Sequence, residues 1–131
     1  MHIELYLPFP PTVNNYYVKT SRGVFISQKG RKFRDIVHSA VVEQLGGAVA
    51  IDSRMLVEIV LFPPDKRRRD VDNYNKALLD ALTHAGVWED DSLIDQLFIY
   101  RGTVQKKPGQ AFVRITDAGP VVDTPSMLPM D

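Results

Sequence analysis

Asp70 and Asp72 stand two residues apart, directly after the four consecutive cations Lys66, Arg67, Arg68 and Arg69. Asn73 follows at once, and Lys76 lies four residues beyond Asp72. Cations attract phosphate, whereas two neighbouring carboxylates repel it unless a divalent cation lies between them. The combination therefore points to phosphodiester chemistry. Hard oxygen ligands suit Mg²⁺ or Mn²⁺, which bind through one or two carboxylates together with substrate phosphate oxygens. If Asp70 is extended, it and Asp72 point the same way. If Asp72 opens a helix, Lys76 falls one turn along on the same face. The same residue types also serve as helix caps and solvated ion pairs, so the elements around them must decide.

The motif follows a strand. Met55–Phe62 is a β-rich run ended by Pro63 and Pro64. A helix is expected from Val71 or Asp72 to His84, with Ala77, Leu78, Ala81 and Leu82 inward and Gly86 as the stop. On that helix Asp80 is one turn beyond Lys76 and open to a bridge with it. Trp88 reads as an anchor before Glu89, Asp90 and Asp91. A long strand, 93–103, then carries Ile94, Leu97, Phe98, Ile99 and Tyr100. Asp91 is the third carboxylate of interest, in a loop at the mouth of that strand. A hairpin-like return after the helix would bring it near Asp70 and Asp72.

Upstream, His2–Leu7 alternates, with Ile3, Leu5 and Leu7 on one face. Pro8, Pro10 and Pro11 end it, and 12–15 reads as a loop. Tyr16–Lys19 and Val24–Ile26 form a short hairpin. Asn14, Asn15, Tyr16 and Tyr17 offer hydrogen bonds and a stacking face. Ser27 caps a helix to about Leu45, stopped by Gly46 and Gly47. Its apolar period is Phe33, Ile36, Val37, Ala40, Val41 and Leu45, and Gly30 weakens its first turns. Lys29, Arg31, Lys32 and Arg34 crowd its start, against the macrodipole preference for acids there, which marks them as candidates for phosphate. A turn at 107–110 and a strand over 111–116 complete the pattern.

Composition bounds the rest. The chain has 131 residues, 44% hydrophobic and 24% charged, enough for one core and typical of a soluble globular protein. No apolar run approaches ~18 residues and no signal-peptide pattern opens the chain. The absence of cysteine excludes disulfides and thiolate zinc sites and fits a reducing cytoplasm. Net charge is zero, 16 cations against 16 acids, yet the distribution is uneven. Residues 19–34 carry cations and no acid, while 65–95 hold Asp65, Asp70, Asp72, Asp80, Glu89, Asp90, Asp91 and Asp95. Neutrality is thus a sum of opposed patches, and the acid cluster is expected to repel itself when no metal is present. His2, His38 and His84 are isolated and show no metal-ligand spacing.

The runs Arg67-Arg68-Arg69-Asp70-Val71-Asp72-Asn73, Lys76, and Asp80 to Asp91 through Trp88 resemble the RusA family of Holliday junction resolvases, small phage- and prophage-borne endonucleases. The run Pro10-Pro11-Thr12-Val13-Asn14-Asn15 is similar to the family's Pro-Pro-Ser-x-Asn loop, with threonine in place of serine. The resemblance covers Leu5 to about Thr116.

It implies a bacterial or phage-encoded, cytoplasmic homodimer that nicks four-way DNA junctions in symmetric pairs, in recombination and repair. Asp70, Asp72 and Asp91 would bind Mg²⁺, with Mn²⁺ as a substitute, and Lys76 would assist; Asp90 and Asp91 are alternatives for the third ligand. Asn14, Asn15, Tyr16, Lys66, Arg67, Arg68, Arg69, Asn73 and Lys76 would contact DNA. The expected fold is one small α/β domain of the α+β type over 1–118, a mixed β-sheet with two main helices, followed by a loose tail, 119–131. A broader branched-DNA or flap nuclease and a non-cleaving junction-binding protein are the alternatives.

Overall fold

Alternation in the first strand, β1 (His2–Leu7), sets one side of a sheet: Leu5 and Leu7 are buried while Glu4 and Tyr6 face out. The computed structural model describes residues 1–123, so most of the expected tail lies outside the described residues. After the prolines a single helical turn, α1 (Val13–Tyr16), leads into the hairpin β2 (Tyr17–Thr20) and β3 (Gly23–Ile26). Residues 12–15, expected as loop, are therefore partly helical, and Tyr16 ends that turn rather than starting a strand.

Helix α2 (Gln28–Leu45) begins where expected. Ser27 Oγ accepts from the Gly30 N–H at 2.9 Å, and Gly46 closes the helix at φ 82°. Gly30 is a requirement here rather than a weakness. A Cβ there would overlap the Tyr16 carbonyl oxygen and lie 2.8 Å from Ile26, so the glycine lets α2 meet α1. Phe33, Val37 and Val41 are buried, but Ile36, expected inward, is 48% exposed on the outer flank of the helix.

Strand β4 (Met55–Phe62) has the alternation of a strand covered on one side: Met55, Val57, Ile59 and Leu61 are buried, and the residues between them are not. The helix expected from 71 or 72 is broken. A 3₁₀ turn (Val71–Asn73) comes first, Tyr74 forms a joint, and α3 runs over Asn75–His84. Tyr74 is 6% exposed and packs its ring 5.0 Å from that of Phe9, so core packing overrides a continuous helix. Past α3, Gly86 (φ 77°) turns the chain as expected.

Trp88 is buried, donates from Nε1 to Thr83 Oγ1 at 2.6 Å and pairs in parallel with Ile51. It is the anchor expected of it; Trp→Ala at such a site costs about 3–5 kcal/mol. A second 3₁₀ turn (Asp91–Leu93) opens β5 (Ile94–Arg101), and β6 (Gln110–Asp117) is the last regular element among the described residues.

The four-stranded sheet has the order β1-β6-β4-β5. β6 is antiparallel to β1 and β4, whereas β4 and β5 are parallel, from Met55 beside Ile94 to Leu61 beside Arg101. The sheet is thus mixed, with α2 and α3 on one face, as expected for the fold class. The other face is open: Tyr6, Phe98 and Tyr100 are about half exposed there, with Phe112 against Tyr6. Among the described residues no helix is long and apolar enough to cross a membrane.

Candidate active site and nucleic-acid interface

The parallel pairing of β4 and β5 decides where the carboxylates go. A strand–helix–strand unit whose strands are parallel returns the chain to the start of the first strand. Asp91 therefore sits beside the Met55 end of β4, while Asp70 follows the Phe62 end. From Ile94 to Arg101, β5 spans about 23 Å at the usual rise. This corrects the hairpin-like return expected from sequence, and no three His, Cys, Asp or Glu groups among the described residues are gathered to hold a metal. Asp72 and Lys76 also no longer share one continuous helix, because Asp72 lies in the 3₁₀ turn and Lys76 in α3 beyond Tyr74.

What the fold does is sort the acids. Asp65 pairs with Arg69 at 2.8 Å, Asp80 with Arg34 at 2.8 Å and Asp95 with Arg54 at 3.1 Å. Asp90 accepts from the Ser92 backbone N–H at 2.8 Å as the cap of its 3₁₀ turn, and that bond chiefly holds its carboxyl below the ordinary range. Among the described residues no cation pairs with Asp70, Asp72, Glu89 or Asp91. The expected self-repelling cluster is therefore divided: three of its eight acids are ion-paired, and the carboxylates left without a cation include the three singled out by sequence. Of the adjacent pair, Asp90 is committed to the backbone and Asp91 is not.

Lys76, exposed on the first turn of α3, shares an open groove of about 600 Å³ with Val13, Asn14, Tyr17, Lys19 and Val24. The Tyr17 hydroxyl is raised above its ordinary value mainly by burial, then by the charge of Asp80, with a smaller push from Asp91. Asp91 thus lies within electrostatic reach of this groove. Asp70 borders a second groove, of about 630 Å³, with Lys66, Arg67, Arg68 and Arg101. Asp72 and Asn73 are exposed on the short turn after Asp70.

Several expected DNA contacts change role. Tyr16 is fully buried, so it cannot offer a stacking face. Its hydroxyl donates to Asp80 and accepts from Arg34 Nε at 3.0 Å, a network that ties α1, α2 and α3 together. Tyr17, partly exposed in the Lys76 groove, takes over that position. Arg34 and Asp80 are likewise absorbed by the network, so Asp80 is no partner for Lys76. Arg31 donates to the Ile26 carbonyl at 3.0 Å, which leaves Lys29 and Lys32 of the α2 segment exposed and, among the described residues, without ion pairs.

Arg69 is the exception within the basic run. Its side chain is 13% exposed, donates to Asp65 and lies 5.6 Å over the Phe9 ring. It fixes the loop instead of facing solvent, whereas Lys66, Arg67 and Arg68 are exposed. Sequence reading passed over Arg101, whose guanidinium donates to the Arg69 carbonyl next to Asp70. The only signal for it was its place at the end of a strand that becomes informative once β5 is known to be parallel to β4.

Hard, exposed carboxylates without protein cations fit Mg²⁺ or Mn²⁺, and Mg²⁺ needs only one or two of them besides phosphate and water. Asp70 and Asp72 satisfy that within one loop.

The sequence model of a family described as endodeoxyribonuclease RusA matches residues 8–116, which contain both grooves and every carboxylate discussed. A crossover junction endodeoxyribonuclease of Enterobacteria phage HK97 is 38% identical over 114 residues, 87% of this chain and 93% of that protein. Proteins called crossover junction endodeoxyribonuclease from Shigella sonnei (strain Ss046) and Escherichia coli (strain K12) are each 34% identical over 113 residues, 86% of this chain and 92% of theirs.

Proposed function

The chain belongs to the RusA endodeoxyribonuclease family, and from that premise we propose that it is a Mg²⁺-dependent nuclease that resolves four-way DNA junctions. The observation that carries the reading is the bare Asp70–Asp72 pair, presented at the end of a basic loop and close in sequence to Lys76. Acids left unneutralised beside cations suit a site completed by metal and phosphate. Asp70, Asp72 and Asp91 would hold the cation. Asp70 and Asp72 alone supply the one or two carboxylates such a cation needs, and Asp91 would join them as the third ligand.

When bound, a divalent cation would supply activation of water and charge balance at the phosphoryl oxygens. Lys76 would place a compact positive charge toward the oxygens that gain charge as the bond breaks. Lys66, Arg67 and Arg68 would hold the backbone by phosphate contacts, and Asn14, Asn15 and Asn73 would donate hydrogen bonds from the exposed loops. Mn²⁺, with the same preference for oxygen ligands, would substitute.

A homodimer is part of the proposal. A junction with two strands to cut symmetrically is matched by two equivalent sites on a two-fold axis. The open sheet face with Tyr6, Phe98 and Tyr100 is an apolar surface of the kind a second copy covers.

The test is cleavage of a synthetic four-way junction with Mg²⁺, against a flap, a nick and a plain duplex. Paired nicks in the junction support resolution. Equal cutting of flaps would leave a broader nuclease, and binding without cutting would overturn the enzyme reading.

A further inference from the structure

The connection between β5 and β6 reads in sequence as a turn and nothing more. Folded, it is held against the loop that carries Asp70. Gly102 N–H donates to the Leu61 carbonyl and Gln105 N–H to the Pro63 carbonyl, both at 2.8 Å. Gly109, at φ 78°, completes the approach: a Cβ there would lie 2.9 Å from the Phe62 carbonyl oxygen and 3.0 Å from Pro64. Only glycine allows the two segments this close.

Lys106 and Lys107 are thereby placed in a depression lined also by Pro64, Asp65, Lys66 and Val104. That depression shares Asp65, Lys66 and Val104 with the groove that ends at Asp70. The two form one continuous channel, with walls from two separate stretches of chain. Its charge is lopsided. Lys66, Arg68, Lys106 and Lys107 have no ion pair among the described residues, and Arg101 satisfies a carbonyl without losing its charge. Against them stand Asp65, already paired with Arg69, and Asp70 at the end.

Like charges fixed along one channel repel each other unless an anion is present. A single phosphate would call for donors converging on one point. Here the cations are strung along a path, which matches the regularly charged backbone of a nucleic-acid strand.

We propose that this channel is a phosphate track for one strand of a DNA arm, leading from Asp70 to Lys106 and Lys107. The proposal rests on the nuclease reading and adds to it the β5–β6 connection, which the motif residues do not include. In sequence the Lys76 groove follows the turn Val71–Asn73, so the chain carries cations before and after the Asp70–Asp72 pair.

The experiment compares wild type with Lys106→Ala/Lys107→Ala on a synthetic four-way junction in Ca²⁺, titrating salt from 50 to 200 mM. Losing two phosphate contacts should flatten the slope of log K against log salt by about 1.8. Wild-type affinity should then fall about twelvefold more than the variant's over that range. Lys106→Arg/Lys107→Arg should keep the wild-type slope.

An alanine variant with the wild-type slope would overturn the track, as would an arginine variant as impaired as the alanine one. If wild type binds the junction without cutting it, the nuclease reading fails and the slopes still decide the track. If it binds neither junction nor duplex, both fail.

Discussion

Removing one oxygen atom in Tyr16→Phe tests whether the buried network, rather than contact with DNA, is this residue's role. The Tyr16 hydroxyl donates to Asp80 Oδ2 and accepts from Arg34 Nε at 3.0 Å, while Arg34 reaches the same carboxylate from Nη2 at 2.8 Å. Phenylalanine preserves the ring contacts with Tyr17 and Phe33 and leaves the ion pair in place. The loss is a hydrogen bond to a charged group, about 1.5–3 kcal/mol. For a domain of this length that is roughly 5–12 °C in melting temperature.

The pH dependence has a definite sign. Burial first, then the hydrogen bond to Asp80, raise the hydroxyl well above its ordinary value, with Arg34 opposing. A group with a raised folded pKa contributes stability that is fully present below its unfolded value, about 10, and lost as pH rises through the folded one. At pH ~10.5 the wild type should already have lost about 0.8 kcal/mol that the phenylalanine variant cannot lose. The gap between the two proteins should therefore narrow above pH ~10. The assay is urea or thermal unfolding followed by circular dichroism at pH 7.5 and 10.5. Equal stability at pH 7.5, or a gap that stays constant into alkali, would refute the network as described.

Four further outcomes are expected. Asp70→Asn and Asp72→Asn should each abolish cleavage in Mg²⁺ while junction affinity in Ca²⁺ persists, as a gel-shift titration would show; joint loss of binding would make them structural. Lys76→Ala should raise the single-turnover barrier by about 3 kcal/mol, roughly 150-fold in rate, with a smaller loss of affinity, since it removes one electrostatic stabiliser. Asp65, held down to about 2 by its hydrogen bonds to the Arg69 side chain and Arg67 backbone, contributes stability above its unfolded value near ~3.9 that is lost as pH falls through about 2. Asp65→Asn should accordingly melt below wild type at pH 7 and converge with it by pH ~2. Mn²⁺ should raise the melting temperature at pH 7.5 in wild type and leave Asp70→Asn/Asp72→Asn unmoved.

The parts of the fold legible in sequence are those where one local signal meets no competitor. Strand β4 shows its buried side because alternate residues meet a single layer of helices, and α2 shows its ends because Ser27 and Gly46 cap it by their own chemistry. The misread stretches are set by partners distant in the chain. Tyr74 interrupts a helical run because Phe9, far upstream, takes its ring. Tyr16 is hidden because Asp80 and Arg34 receive its hydroxyl. The acid cluster of 65–95 could not be divided without knowing that Arg54 reaches Asp95 and Arg34 reaches Asp80. Composition registers charges but not their pairing, so it described as one repelling patch what the fold separates into committed and bare acids.

That separation explains why Arg69 differs from its three neighbours. Its guanidinium is drawn inward between Asp65 and the face of Phe9, while its carbonyl accepts from Arg101 on the neighbouring strand. A residue held through both side chain and backbone leaves the next one, Asp70, little freedom of position. Yet Asp70 itself makes no side-chain cap bond, although it occupies the place where a helix-capping carboxylate would normally be satisfied. Fixing the loop with Arg69 and Arg101 while leaving the adjacent acid bare is a poor solution for stability alone. Either arginine turned toward Asp70 would neutralise it. The arrangement becomes economical only if the charge on Asp70 is needed outward, toward a ligand that brings its own cation. A replacement that frees the clamp, such as Phe9→Ala, should therefore let Arg69 fold back onto Asp70. It should weaken the response of melting temperature to Mn²⁺ although no carboxylate has been touched, and an undiminished response would show that the clamp has no part in holding Asp70 bare.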